Sequence, residues 1–131
     1  MRHAKAKQWE KRLKAVFDEI DTELENMYGD RFELHPARPG QGATSNPEMD
    51  GLFNVGASYS AGFGSRFGPG YVVDIRLSTL KKIPEALRDE LRDRVQALLT
   101  EKLPLAFPGK ELRVDRERKH LRIHGDLSLD G

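Results

Sequence analysis

At 131 residues the chain is sized for a single domain with a hydrophobic core of its own. A charged fraction of 33%, a hydrophobic fraction of 37% and a mean hydropathy of −0.65 describe a globular protein with a heavily solvated surface. The absence of cysteine excludes disulfides, thiolate nucleophiles and cysteine-ligated metal sites, and a net charge of +1 gives no global attraction for a polyanion.

No stretch approaches the roughly 20 apolar residues of a membrane-crossing helix. The stretch Met1 to Trp9 lacks the apolar centre of a signal peptide, so the expected location is cytoplasmic. Trp9, Leu13, Val16, Phe17, Ile20, Leu24 and Met27 recur at steps of three and four, which predicts a helix with these residues on one stripe. Gly29 in Tyr28-Gly29-Asp30 is expected to end it in the left-handed conformation. The charges run basic first (Lys5, Lys7, Lys11, Arg12, Lys14) and acidic later (Asp18, Glu19, Asp21, Glu23, Glu25), against the helix dipole. Such an order suits either a solvated outer face or a bipolar surface that docks a partner or a second copy.

After a short strand expected at 31–35, Pro36, Pro39 and Pro47 with Gly40 and Gly42 forbid a helix or a central strand. The segment 35–50 therefore reads as a long loop, carrying His35 and Arg38, with Glu48 and Asp50 at its end. Phe53, Val55, Ala57 and Tyr59 then alternate with polar or small residues, as do Tyr71, Val73, Ile75 and Leu77, predicting two strands each with one apolar face. Between them lies Ala61-Gly-Phe-Gly-Ser-Arg-Phe-Gly-Pro69, too irregular for a tight turn. Gly62, Gly64, Gly68 and Gly70 free this backbone for positive φ and for close approach by another group.

A second helix is expected from near Pro84, with Leu87, Leu91, Val95, Leu98, Leu99 and Leu103 as its stripe and Pro104 as its stop. Leu112 and Val114, then Leu121 and Ile123, predict a second hairpin with its turn at Arg116 to Lys119. The expected fold is a single α+β domain over 1–131, with 1–4 and 126–131 frayed. In it a four-stranded, largely antiparallel sheet of two hairpins carries two helices on one face, in the order α-β-β-α-β-β.

Few chemistries fit these residues. Gly62, Gly64 and Gly68 run into a strand rather than a helix, with one residue too many for a dinucleotide fingerprint, and no Gly-Lys-Ser/Thr of a Walker A loop follows. The Gly-Phe-Gly-Ser-Arg-Phe-Gly hairpin is superficially similar to that of protein kinases, yet neither the strand lysine nor the catalytic-loop motif accompanies it. No Gly-x-Ser-x-Gly elbow places a serine nucleophile. His120 and His124 share a strand face two pleats apart, too far to chelate one metal unaided, and read as solvated. No metal or cofactor is expected.

Three functions remain open. The leading one is a non-enzymatic binding or assembly domain, with an unknown protein or an anionic ligand as partner and homo-oligomerisation as a further option. Its recognition surface would comprise the 35–50 loop and the hairpin tip 60–70, with His35, Arg38, Gly62, Gly64, Ser65, Arg66 and Gly68 at the site. The second is an RNA-binding domain using the basic hairpin residues Arg113, Arg116, Arg118, Lys119 and Arg122, although Glu111, Asp115 and Glu117 dilute that patch and no strand aromatic falls on the exposed face. The third is an enzyme or sensor with an anionic small-molecule site at Arg66. Against any site at the tip stands a purely structural use of the glycines, in which Phe63 and Phe67 fold back into the core.

Overall fold

The apolar stripe beginning at Trp9 forms α1 (Ala4–Tyr28) in the computed structural model, which describes residues 4–30 and 51–127. Then come β1 (Phe53–Ser60), β2 (Gly70–Leu77), α2 (Glu85–Ala106), β3 (Leu112–Glu117) and β4 (His120–Gly125). The strands make one antiparallel sheet in the order β1-β2-β4-β3. The second strands of the two hairpins thus meet at the centre, where Tyr71 lies opposite Ile123 and Val73 opposite Leu121. This is the α+β fold with the element order read from the sequence.

Alternation divides the sheet into two faces. Phe53, Val55, Val73, Leu121 and Ile123 point toward the helices and are buried with Leu13, Phe17, Ile20 and Leu24 of α1 and Leu91, Val95, Leu99 and Leu103 of α2. Trp9 stacks between Tyr71 of β2 and Phe107 beyond α2, with ring centroids 5.3 and 4.3 Å away. Lys102 of α2 reaches Glu23 of α1 at 3.0 Å and ties the helices together. The other face carries Ser58, Val72, Arg122 and Asp115 in one cross-sheet row and Ser60, Gly70, His124 and Arg113 in the next.

Strand β1 lies at an edge of the sheet, and α1 closes part of it. Glu25 Oε2 accepts the N–H groups of Leu52 and Phe53 at 2.9 and 3.3 Å, and Asp21 Oδ1 accepts that of Val55 at 2.7 Å. One helical turn apart, the two carboxylates serve donors that an edge strand would otherwise leave unpaired. Their place late in α1, unfavourable for the dipole, follows from this task.

Several local expectations are corrected. Met27 is 43% exposed and Tyr28 is buried in its place, because four residues past Leu24 follows the stripe more closely than three. Gly29 has no positive φ; a side chain there would strike the carbonyl of Glu25, so close approach is what requires glycine. Pro104 lies inside α2, in its last turn, and does not stop it: the chain stays helical to Ala106 and the Phe107 N–H donates to the Leu103 carbonyl at 2.8 Å. The second turn is confined to Arg118 and Lys119, with Arg118 at φ 58°, and Arg116 belongs to β3. Ile75 is half-buried because β4 pairs with β2 only as far as Val73. Tyr59 is 62% exposed, at the end of β1 that α1 does not cover. The short strand at 31–35 and the 35–50 loop lie outside the described residues, as do 1–3 and 128–131.

Asp21 is buried, so Asp21→Ala should strand the Val55 N–H and lower unfolding free energy by about 1–3 kcal/mol in urea denaturation. Thr22→Ala, at the exposed neighbouring position, should stay within about 0.5 kcal/mol of wild type.

Candidate recognition site on the open sheet face

The glycine-rich loop 61–69 folds back over the open face instead of extending beyond the sheet. Its neck closes where Gly62, at φ 96°, lies so near Gly68 that a Cβ on Gly62 would overlap the Gly68 carbonyl carbon. The Ser65 N–H donates to the Gly62 carbonyl at 3.0 Å, and the Phe67 N–H donates to Ser65 Oγ at 3.1 Å. Gly64, at φ 77°, and Gly68, at φ 78°, face open space, so there positive φ alone disfavours other residues.

Beneath the loop sits Arg122, 4% exposed although it lies on the open face of the sheet. Its Nε donates to Glu117 Oε1 at 2.7 Å, one terminal nitrogen donates to the Gly68 carbonyl at 3.2 Å, and the other approaches Ser60 Oγ at 3.4 Å. Glu117 Oε2 accepts the hydroxyl of Ser65 at 2.6 Å. These bonds fasten both ends of the loop to the second hairpin. The Ser65 hydroxyl, together with the Arg122 guanidinium beside it, holds the Glu117 carboxyl well below its ordinary value of 4.5, at about 2.

A second set of contacts rises from β3 outward. Asp115 Oδ2 lies 2.6 Å from His124 Nε2, the His124 ring stacks on Phe67 with centroids 4.7 Å apart, and the Arg66 guanidinium stands 4.8 Å over Phe67. Phe63, at the crest of the loop, is 95% exposed. Neither phenylalanine folds back into the core between sheet and helices. The structure thus sorts the expected site residues by role: Gly62, Gly64 and Gly68 shape the loop, Ser65 fastens it, and Arg66 stands exposed at its surface. His35 and Arg38 lie outside the described residues.

The basic hairpin loses much of its charge to internal pairing. Arg122 is buried, and Arg116 points to the helix side, bound to Asp89 and Asp93 of α2 at 2.9 and 3.1 Å. Arg113, Arg118 and Lys119 remain exposed, the last giving its carbonyl to Arg92 Nε at 2.9 Å. The histidines are not solvated as expected: His124 retains 12% of its side-chain exposure and His120 23%, with His120 Nε2 3.5 Å from Glu117. Among the described residues no group of three histidine or carboxylate side chains is arranged to hold a metal ion.

Sequence reasoning missed Glu117, Asp115 and His124 as supports of the loop. Alternation places Arg122, His124, Glu117 and Asp115 on the open face, and that was the available signal; that the loop folds onto this face depends on contacts with no sequence period.

Fold and site together define a small α+β domain with a pinned surface loop over an open antiparallel sheet. The chain belongs to a family described as "Uncharacterised protein", whose profile matches residues 4–125, from α1 through β4. It is similar to an uncharacterized protein of Borreliella burgdorferi (strain B31), 34% identical over 125 residues, covering 95% of this chain and 98% of the relative. No solved structure matches the chain.

Because the Glu117 carboxyl is held below its unfolded value, the stability it contributes is full above about pH 4.5 and is lost as pH falls toward about 2. Glu117→Gln should accordingly lower the urea midpoint at pH 7. The gap to wild type should narrow steadily between about pH 5 and pH 2. A gap of constant size across that range would place the carboxylate outside the fastening.

Proposed function

We propose that the protein is a non-enzymatic binding domain that recognises a partner protein through the tip of the glycine-rich loop. Phe63 inserts into an apolar pocket on the partner, and Arg66 pairs with a carboxylate beside it. The observation that carries this reading is the contrast within one loop: Ser65 is spent on fastening while Phe63 is left 95% exposed and Arg66 stands free of ion pairs with the described residues. An exposed phenylalanine gains nothing for folding, whereas aromatic and arginine side chains carry a large share of binding energy at protein interfaces. Fixing the loop beforehand lowers the ordering cost of association.

The pairing of Arg116 and Arg122 with carboxylates favours this reading over RNA binding by the second hairpin, since a cation already neutralised releases few counterions from a phosphate backbone. A small anion at Arg66 alone would leave Phe63 without a use. A cytoplasmic setting is part of the same proposal.

A photoreactive cross-linker at the exposed Ala61 should trap a partner in extracts of cells that produce the protein. Phe63→Ser and Arg66→Ala should each abolish that adduct without moving the thermal midpoint, and Arg113→Ala on the neighbouring strand should preserve it. Identical adducts from wild type and the Phe63→Ser/Arg66→Ala double variant would refute the assignment.

A further inference from the structure

A second surface lies at the sheet edge, on the helix side and away from the open face. In an antiparallel pair, successive residues direct their N–H and C=O groups alternately toward and away from the partner strand. The Val55 N–H goes to Asp21 on α1 and so points away from β2; Ala57 and Tyr59, two and four residues on, point the same way. Nothing among the described residues pairs with these outward groups. The carboxylates of α1 cover the edge only from Leu52 to Val55, because toward its start the helix moves inward to stack Trp9 on Tyr71 and Phe107.

That divergence opens a groove of about 650 Å³ between the first half of α1 and the second half of β1. Its floor includes Phe17, Ala57 and Tyr59, and its wall carries Lys7, Lys11 and Lys14. Lys14 is paired with Asp18 at 3.0 Å, but Lys7 and Lys11 make no ion pair with any described residue. Among the described residues lining it, Glu10 is the one acidic side chain. A stretch of backbone that no described residue pairs with therefore adjoins a row of lysines.

We propose that this edge accepts an extended acidic segment of a partner protein as an added strand. Its backbone pairs with Ala57 and Tyr59, and the carboxylates on its helix-side face reach Lys7 and Lys11. The two repeats match in length: alternate residues of a strand lie about 6.6–6.8 Å apart, and lysines four apart on a helix are separated by about 6 Å. A second copy fits less well. In β1-to-β1 pairing the neutral Ala57-Ser58-Tyr59-Ser60 would face itself and leave both lysine rows without acidic counterparts. The proposal is independent of the loop reading.

The test uses a fluorescein-labelled peptide of alternating glutamate and valine with the full chain, read by anisotropy at low salt. Wild type and Phe63→Ser should bind it equally, and a peptide of alternating lysine and valine should not bind. Lys11→Glu should weaken binding tenfold or more. So should Ala57→Pro, which removes the outward N–H while sparing the β2 ladder. Should Ala57→Pro fail to fold, amide exchange in wild type decides: the peptide should slow exchange at Ala57 and Tyr59. Absence of binding by wild type overturns the proposal. Binding that Lys11→Glu weakens but that leaves those two amides unprotected overturns strand addition in favour of charge attraction alone. A concentration-dependent dimer of wild type, seen by sedimentation and protected at the same amides without peptide, makes a second copy the occupant and overturns the acidic segment.

Discussion

A guanidinium kept from water must find hydrogen-bond acceptors within the protein, and Arg122 finds them in Glu117, the Gly68 carbonyl and Ser60. Two of these partners belong to the first hairpin and its loop, and the third to the neighbouring strand, so satisfying one charge fixes the loop to the second hairpin. Glu117 completes the arrangement by receiving the Ser65 hydroxyl from the loop itself. Release of any member would leave a poorly solvated polar group beneath a glycine-rich segment that has high conformational entropy once free. The position of the glycine-rich loop is thus decided by polar bonding on the open face and not by burial of apolar surface.

The opposite face works by other means. There apolar alternation and two helical stripes make the core, and the polar difficulty is moved to the edge, where Asp21 and Glu25 accept the N–H groups of β1. The same helix that closes the beginning of this edge leaves its end unpaired among the described residues, since α1 there packs Trp9 against Tyr71 of β2. One helix orientation therefore accounts for which half of β1 α1 covers and which it does not, and for the exposure of Tyr59 between groove and loop.

The architecture was legible because its signals are periodic: steps of three and four gave both helices, alternation gave the strands and their inner faces, and element order gave the sheet with helices on one side. Where competition between neighbours decides, the sequence was mute. Nothing local reveals that α2 continues through Pro104 to Ala106, whereas the step of four from Leu24 does favour Tyr28 over Met27 as the last buried position. The glycines mark the irregular loop in the sequence but not which of its polar groups the fold bonds internally. Arg66 is exposed, whereas Ser65, expected at the same site, is hydrogen-bonded to Glu117 and to the Phe67 N–H. Arg122 looked like a phosphate ligand because strand position says which face a residue occupies but not what covers that face. The family resemblance spans all six elements and adds no chemistry to them.

The claim on which the account rests is that the loop is held in place before any partner arrives, and amide ¹⁵N relaxation at residues 62–68 measures this most directly. Order parameters close to the roughly 0.85 of rigid backbone, matching those of β2 and β4, are the predicted result. Values below about 0.6 across the loop in the free protein would show that Arg122, Glu117 and Ser65 do not hold it, and would contradict the account.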